Sequence, residues 1–175
     1  FSSSKTSGLV SSKHFYRNLN DYIKSFTKGF ENFYGKFSNY VFLGLLPSYI
    51  EQKNSSLIFM VNELIQKSSH IESGFYLDNF KDLVQKINFL ESRGQKTILL
   101  GVSFALLDLL EYHQFHLKNT LIMETGGMKG KRKEITRMEL HKILSEGFGC
   151  KKIHSEYGMT ELLSQAYSNG DGIFE

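Results

Sequence analysis

The segment "HSEYGMTELLSQAYS", residues 154–168, holds a tyrosine, a glycine, a threonine and a glutamate within the six letters "EYGMTE". Each can do something specific. The Tyr157 ring can lie against a nucleotide base, and Gly158 lets the chain turn. The Thr160 hydroxyl can donate to a phosphate oxygen, and the Glu161 carboxylate can hold a divalent metal. Mg2+ suits such a place because it takes one or two protein carboxylates and completes its shell with substrate phosphates. A plainer reading fits the same letters: a tyrosine at a corner, then a helix start capped by Thr160.

A second polar set opens the chain. "FSSSKTSGLVSS" offers hydroxyls at Ser2, Ser3, Ser4, Thr6 and Ser7, with Lys5, Gly8 and then Lys13 as a helix begins. Small side chains and many free backbone N–H groups can cradle phosphate oxygens. The spacing is not that of a Walker loop, and a serine-rich linker reads the same way.

Three further stretches carry chemistry-bearing letters. "METGG" ends an apolar run with Glu124, Thr125, Gly126 and Gly127, and paired glycines let a flat ring or a chain approach the backbone closely. It also reads as a simple exit from a strand. The run Lys129, Lys131, Arg132, Lys133 reads as a solvated loop, with contact to an anion or a carrier protein as the other reading. "GVSFA" after "KTILL" has the strand–serine–helix order of a nucleophile elbow with Ser103 exposed at the turn, but lacks the elbow's second glycine. Ser103 as N-cap of the next helix accounts for the same letters. His113, His116 and His141 show no metal-ligand spacing and read as structural.

These letters need elements to hold them. Apolar residues at Phe15, Leu19, Tyr22, Ile23, Phe26, Phe30, Phe33 and Phe37 have helical spacing. "NYVFLGLLP" is a continuous apolar run stopped by the one proline, as for a strand buried on both faces. The alternation then repeats: a helix over 56–67, a short "GFYL", a helix over 78–92, the strand "KTILLGV" and a helix over 103–113. It continues with "NTLIMETGG", a helix over 136–146 and a last strand over 151–154. Thr136 with Glu139 has capping-box spacing, and Gly147 and Gly149 act as C-terminal breakers. Strands alternating with helices predict an α/β fold with a mostly parallel sheet flanked by helices. Ligands in such sheets sit beyond the carboxyl ends of the strands. That brings the loops 2–8, 124–130 and 155–161 together as one expected site.

The chain's 175 residues, 41% of them hydrophobic, suit one moderate core. No apolar run approaches the roughly 18 residues of a membrane span. A net charge of +3 is too small to argue for nucleic acid. Cys150 is the one cysteine, which excludes an internal disulfide and a cysteine zinc cluster and points to a reducing, cytoplasmic setting. Its place between a helix-breaking loop and a strand reads as a small buried residue. The first residue is Phe, and the closing "SNGDGIFE" shows no helix cap, so a piece of a longer protein is expected.

In order, "SSKTSG", "VFLGLLPSY", "METGGMKGKR" and "EYGMTE" resemble the adenylate-forming superfamily of acyl- and aryl-CoA ligases, luciferases and peptide-synthetase adenylation domains. The similarity is greatest to its acyl-protein synthetase branch, which serves the fatty acid reductase complex of bacterial bioluminescence. The resemblance spans nearly the whole chain. It implies that residues 1–175 are a fragment of the nucleotide- and acyl-binding large N-terminal domain, without the C-terminal small domain. By resemblance, Ser3, Ser4, Lys5, Thr6, Ser7 and Gly8, with Lys13 nearby, bind the β- and γ-phosphates of ATP. Gly126 and Gly127 line the adenine and acyl pocket, and Tyr157 stacks on adenine beside Gly158. Thr160 contacts the α-phosphate and Glu161 coordinates Mg2+.

The implied activity is that of a ligase: ATP-dependent conversion of a carboxylic, expectedly fatty, acid to acyl-AMP. Acyl transfer to a thiol follows, on a protein cysteine, an acyl carrier, CoA or a reductase partner. Positioning and charge neutralisation carry such a step without a protein nucleophile. The family loop has glycine where this chain has Lys5, which removes conformational freedom beside the phosphates and adds an ammonium that can bind them. A catalytically weakened paralogue or fragment that binds nucleotide or a partner is therefore the alternative, and a Ser103 hydrolase the third reading.

Overall fold

The computed structural model of the protein describes residue 1 and residues 18–47, 55–128, 130–159, 162–170 and 172–174. Helix α1, Leu19–Tyr34, starts where the Asn18 side chain accepts from the Asn20 N–H. It buries Tyr22, Phe26 and Phe30, spaced four apart on one stripe. Each such burial contributes about 1.5–3 kcal/mol. The helix stops short of the expected Phe37 because Gly35 turns at φ 75, and Phe37 opens a 3-10 turn over Phe37–Asn39.

Strand β1, Val41–Leu45, is buried throughout, as its unbroken apolar run requires. Helix α2, Ser56–Ser68, is capped by Ser55, strand β2 covers Gly74–Tyr76, and helix α3, Phe80–Ser92, is capped by Asn79. Strand β3, Thr97–Val102, runs directly into helix α4, Ser103–Tyr112. Strand β4, Thr120–Thr125, leads through a loop to helix α5, Arg137–Phe148, whose Thr136 and Glu139 form the expected capping box. Strand β5, Ile153–Met159, and strand β6, Ser164–Ser168, finish the sheet.

The sheet order is β2-β1-β3-β4-β5-β6, with every pair parallel except β5 with β6. From β1 the chain moves outward to β2, then crosses back past β1 to β3 and continues to β5. This doubly wound order divides the helices between the two faces of the sheet. On one face, α1 sets Phe30 against Phe42 of β1 and Tyr34 against His154 of β5. There α2 packs on α1, with the Phe59 and Tyr22 rings 6.0 Å apart. On the other face lie α4 and α5, reaching β4 and β5 through Ser103 and His141. Glu91 of α3 anchors the start of β4 on that face, accepting from the Lys118 and Asn119 N–H groups and from Thr120 Oγ1 at 2.7 Å. Burial pushes the Glu91 carboxyl up, but the hydrogen bonds from Thr120, Lys118 and Asn119 outweigh it and hold it below the ordinary value.

The C-terminal elements also differ from the sequence expectation, and α5 runs through Gly147 to Phe148 before Gly149 ends it. The last strand extends to Met159 instead of stopping at His154, so Ser155, Glu156, Tyr157 and Gly158 lie on a strand and not in a loop. Downstream, "SQAYS" returns as the antiparallel β6. Among the described residues no helix is long and apolar enough to cross a membrane.

Candidate functional site

Strands β4 and β5 end side by side. Their last paired rungs are Glu124 with Ser155 and Thr125 with Glu156, so Gly126 and Gly127 emerge next to Tyr157 and Gly158. Gly126 takes φ 69, a left-handed conformation that side chains resist. A side chain at Gly127 would meet no atom within 4 Å, so open space lies there. Tyr157 is 54% exposed on its strand. Its ring meets Phe174 edge to face at 6.1 Å, and the Arg137 guanidinium lies 4.7 Å over the Phe174 ring. Exposed aromatic faces with a guanidinium and a bare backbone beside them can receive a flat ring.

Alternation along the strands sends the residues beneath these ends to opposite faces. On the α4–α5 face, Glu124 is 4% exposed and gathers donors. Ser155 Oγ donates to Glu124 Oε1 at 2.6 Å, and Ser103 Oγ lies 3.3 Å from both Glu124 Oε2 and the Gly126 carbonyl. His141 Nε2 stands 3.4 Å from Glu124 Oε1 and 3.3 Å from Ser155 Oγ. Since the Ser155 proton goes to Glu124, an Nε2–H on His141 fits both contacts as donor. Arg137 Nε adds positive charge 3.8 Å from the carboxylate.

On the α1 face, Glu156 is equally buried but poor in donors. Thr125 Oγ1 donates to Glu156 Oε2 at 2.6 Å. Burial, opposed by that one hydrogen bond and helped by the nearby Glu124 charge, pushes the carboxyl up to about 7. The Tyr34 and Tyr167 phenols stand nearby. Tyr34 donates to or accepts from His154 Nδ1 at 3.2 Å, and the buried Tyr167 hydroxyl has no hydrogen-bond partner among the described residues. Both phenols are raised, chiefly by burial. Gly158 leaves room here: a Cβ would stand 2.9 Å from Glu156 Oε1 and 3.3 Å from Gln165 Nε2, and these side-chain ends would have to shift.

Of the residues the sequence singled out, Gly126, Gly127, Tyr157 and Gly158 come together. Ser3, Ser4, Lys5, Thr6, Ser7, Gly8 and Lys13, and likewise Thr160 and Glu161, lie outside the described residues. Ser103 is not exposed at a turn: it is 1% exposed, its hydroxyl is committed to Glu124 and Gly126, and Val102 occupies the N-cap position. An accessible nucleophile is not what this serine offers. Arg132 is also not a free member of a solvated basic loop, because it ion-pairs with Asp108 and Glu111 of α4. That anchor holds the β4–α5 loop over a cleft of about 870 Å³ lined by Leu107, Leu110, Met128, Ile135 and Ile143. Cys150 is only partly buried.

Sequence reasoning missed Glu124, Ser155 and Glu156 as buried polar groups. Their signal was a carboxylate inside "LIMET" and another in "HSEY", both on runs that period-two alternation drives inward on one face or the other. Among the described residues no group of three or more His, Cys, Asp or Glu side chains can hold a metal ion.

No family model matches the chain, and no curated protein matches it. Solved structures do. The ATP-bound crystal structure of the RpMatB-BxBclM chimera B1 superposes with a TM-score of 0.60 at 16% identity, over 87% of this chain. This chain spans 28% of that one's length. A mutant form of Coronafacic Acid Ligase from Pectobacterium brasiliense aligns over 76% of this chain and 24% of its own, at 19% identity with a TM-score of 0.48. The fold is therefore the expected one, an α/β domain with a mostly parallel six-stranded sheet flanked by helices, and it is shared with part of that chimera.

Proposed function

We propose that the protein activates a carboxylic acid with ATP and passes the acyl group to a thiol. The observation that supports this most directly is the pairing of two bare glycines, Gly126 and Gly127, with the exposed Tyr157 at the carboxyl ends of adjacent parallel strands. A purine fits between a backbone without side chains and an aromatic face. The acid's carboxylate oxygen attacks the α-phosphorus of ATP, the α–β phosphoanhydride bond breaks, and pyrophosphate leaves. A thiol then attacks the acyl carbonyl, forming a thioester as AMP departs.

In this reading Tyr157 and Gly158 hold the adenine with Gly126 and Gly127, which also border the acyl pocket. Thr160 donates to the α-phosphate, and Glu161 is the carboxylate for Mg2+. Residues 3–8 and Lys13 hold the outer phosphates. The acid is a fatty acid, as in acyl-protein synthetases, and the acceptor a protein cysteine, an acyl carrier or CoA, in the cytoplasm. Mg2+ needs no more than one or two protein carboxylates when phosphates complete its shell.

Lys5 favours a second reading, in which the phosphate loop binds nucleotide without turnover. Carboxylate-dependent ATP–pyrophosphate exchange on the full-length protein, across fatty and aromatic acids, separates the two. Exchange that disappears in Glu161→Ala is the expected result. Silence with every acid, reversed in Lys5→Gly, would transfer the reading to a binding role. Silence in both proteins would overturn acyl-adenylation.

A further inference from the structure

The two halves of the proposed base slot sit on different strands, and one buried carboxylate touches the supports of both. Glu124 precedes Gly126 by two residues on β4, and its partner Ser155 precedes Tyr157 by two residues on β5. Ser103, at the start of α4, lies 3.3 Å from Glu124 Oε2 and 3.3 Å from the Gly126 carbonyl, so its one proton is shared between the carboxylate and the turn. The third arm reaches α5, through His141 at 3.4 Å and Arg137 at 3.8 Å. Arg137 in turn covers Phe174, the ring that meets Tyr157.

We propose that Glu124 is a positioning residue, a single acceptor that sets the Gly126 turn and the Tyr157 platform relative to each other. This rests on the nucleotide-site reading for its purpose, though not for its geometry. The β4–β5 ladder ends at the rung of Thr125 with Glu156, so it does not itself join the Gly126 turn, at φ 69, to Tyr157. A carboxylate accepts through two oxygens and about four lone pairs, whereas a neutral amide has one acceptor oxygen with two and adds donors of its own. Removing its charge leaves buried donors from three elements, α4, β5 and α5, competing for one acceptor.

The partners make the inference divisible. Ser103 is the arm to the Gly126 turn, Ser155 the arm to β5, and neither touches the other. Loss of one arm should loosen one side of the slot, while loss of the node should loosen both. A residue with only a general packing role would give no such partition.

The test is amide hydrogen exchange, read by mass spectrometry on the full chain, in Glu124→Gln, Ser103→Ala and Ser155→Ala. Exchange should rise at residues 126–128 and at 156–158 in Glu124→Gln, only at the former in Ser103→Ala, and only at the latter in Ser155→Ala. Peptides from β1 and α1 should stay unchanged in all three. A uniform rise that includes β1, or no rise at either segment in Glu124→Gln, overturns the proposal. Binding of a fluorescent ATP analogue is measured alongside, with an expected five- to tenfold loss in Glu124→Gln. If the unaltered protein binds no nucleotide, the functional reading fails while the exchange pattern still decides the role of Glu124. If nucleotide binds the variant as tightly as the parent, Glu124 does not position the slot.

Discussion

Glu124 and Glu156 stand on neighbouring rungs of the same two strands and face opposite ways. Glu124 meets two hydroxyls, an imidazole and a guanidinium on the α4–α5 face. Glu156 meets one hydroxyl and a set of raised phenols on the α1 face. Burial is the same for both, at 4% exposure, so burial does not distinguish them. What differs is the number of donors: Glu124 accepts from several, whereas at Glu156 burial is opposed by a single hydrogen bond and the carboxyl is raised. One rung of strand geometry thus separates a polar brace from a proton-holding site.

The largest effect should come from breaking the donor-rich side. Glu124→Leu strands the Ser103 and Ser155 hydroxyls and the His141 imidazole without their shared acceptor, and each buried donor left unsatisfied costs about 1–3 kcal/mol. Urea unfolding should show the loss; a change below about 1 kcal/mol would mean that the donors find water or one another. The donor-poor side should respond to pH instead. Glu156 titrates near 7 when folded and near 4.5 when unfolded, so between those values the folded chain keeps a proton that the unfolded chain has released. Stability from this group is present at acid pH and is lost as pH rises through that window. The Glu156→Gln variant should lack this fall and exceed the parent above pH 7.5 by on the order of 3 kcal/mol. Parallel curves for the two proteins from pH 4.5 to 8 would remove the contrast.

The smallest effect sharpens the same comparison. The buried Tyr167 hydroxyl has no partner among the described residues, so Tyr167→Phe should leave stability unchanged or raise it by about 1 kcal/mol or less. A clear destabilisation in thermal unfolding would reveal an acceptor that this face does not otherwise provide.

The sequence made the helices and the central strands legible because apolar spacing is a direct record of which side faces a core. Phe26 and Phe30 mark α1, and "VFLGL" marks a strand covered on both sides. Polar letters misled at β5 and β6, where "HSEYGM" and "SQAYS" look like loop yet form a hairpin. Interior strands normally read as apolar, and β5 carries Ser155 and Glu156 inward because polar partners await them on β4 and, for Ser155, on α5. Gly126, Gly127, Tyr157 and Gly158 were legible as a group, since chemistry-bearing letters cluster at strand ends. Whether a carboxylate such as Glu124 is buried, and how many donors it finds, depends on Ser103, His141 and Ser155, 17 to 31 positions away, which local spacing does not encode.

The edges of the sheet bear on how the protein behaves in a crowded solution. Every open sheet leaves a row of unpaired N–H and C=O groups at each border, a template onto which a foreign strand can add. Among the described residues the borders are β2, three residues long, and β6, the polar "SQAYS" running against its neighbour's direction. The apolar strands β1, β3 and β4 are all interior. The segments with the strongest tendency to aggregate are thereby paired on both sides, and what the sheet offers at its borders is short or polar.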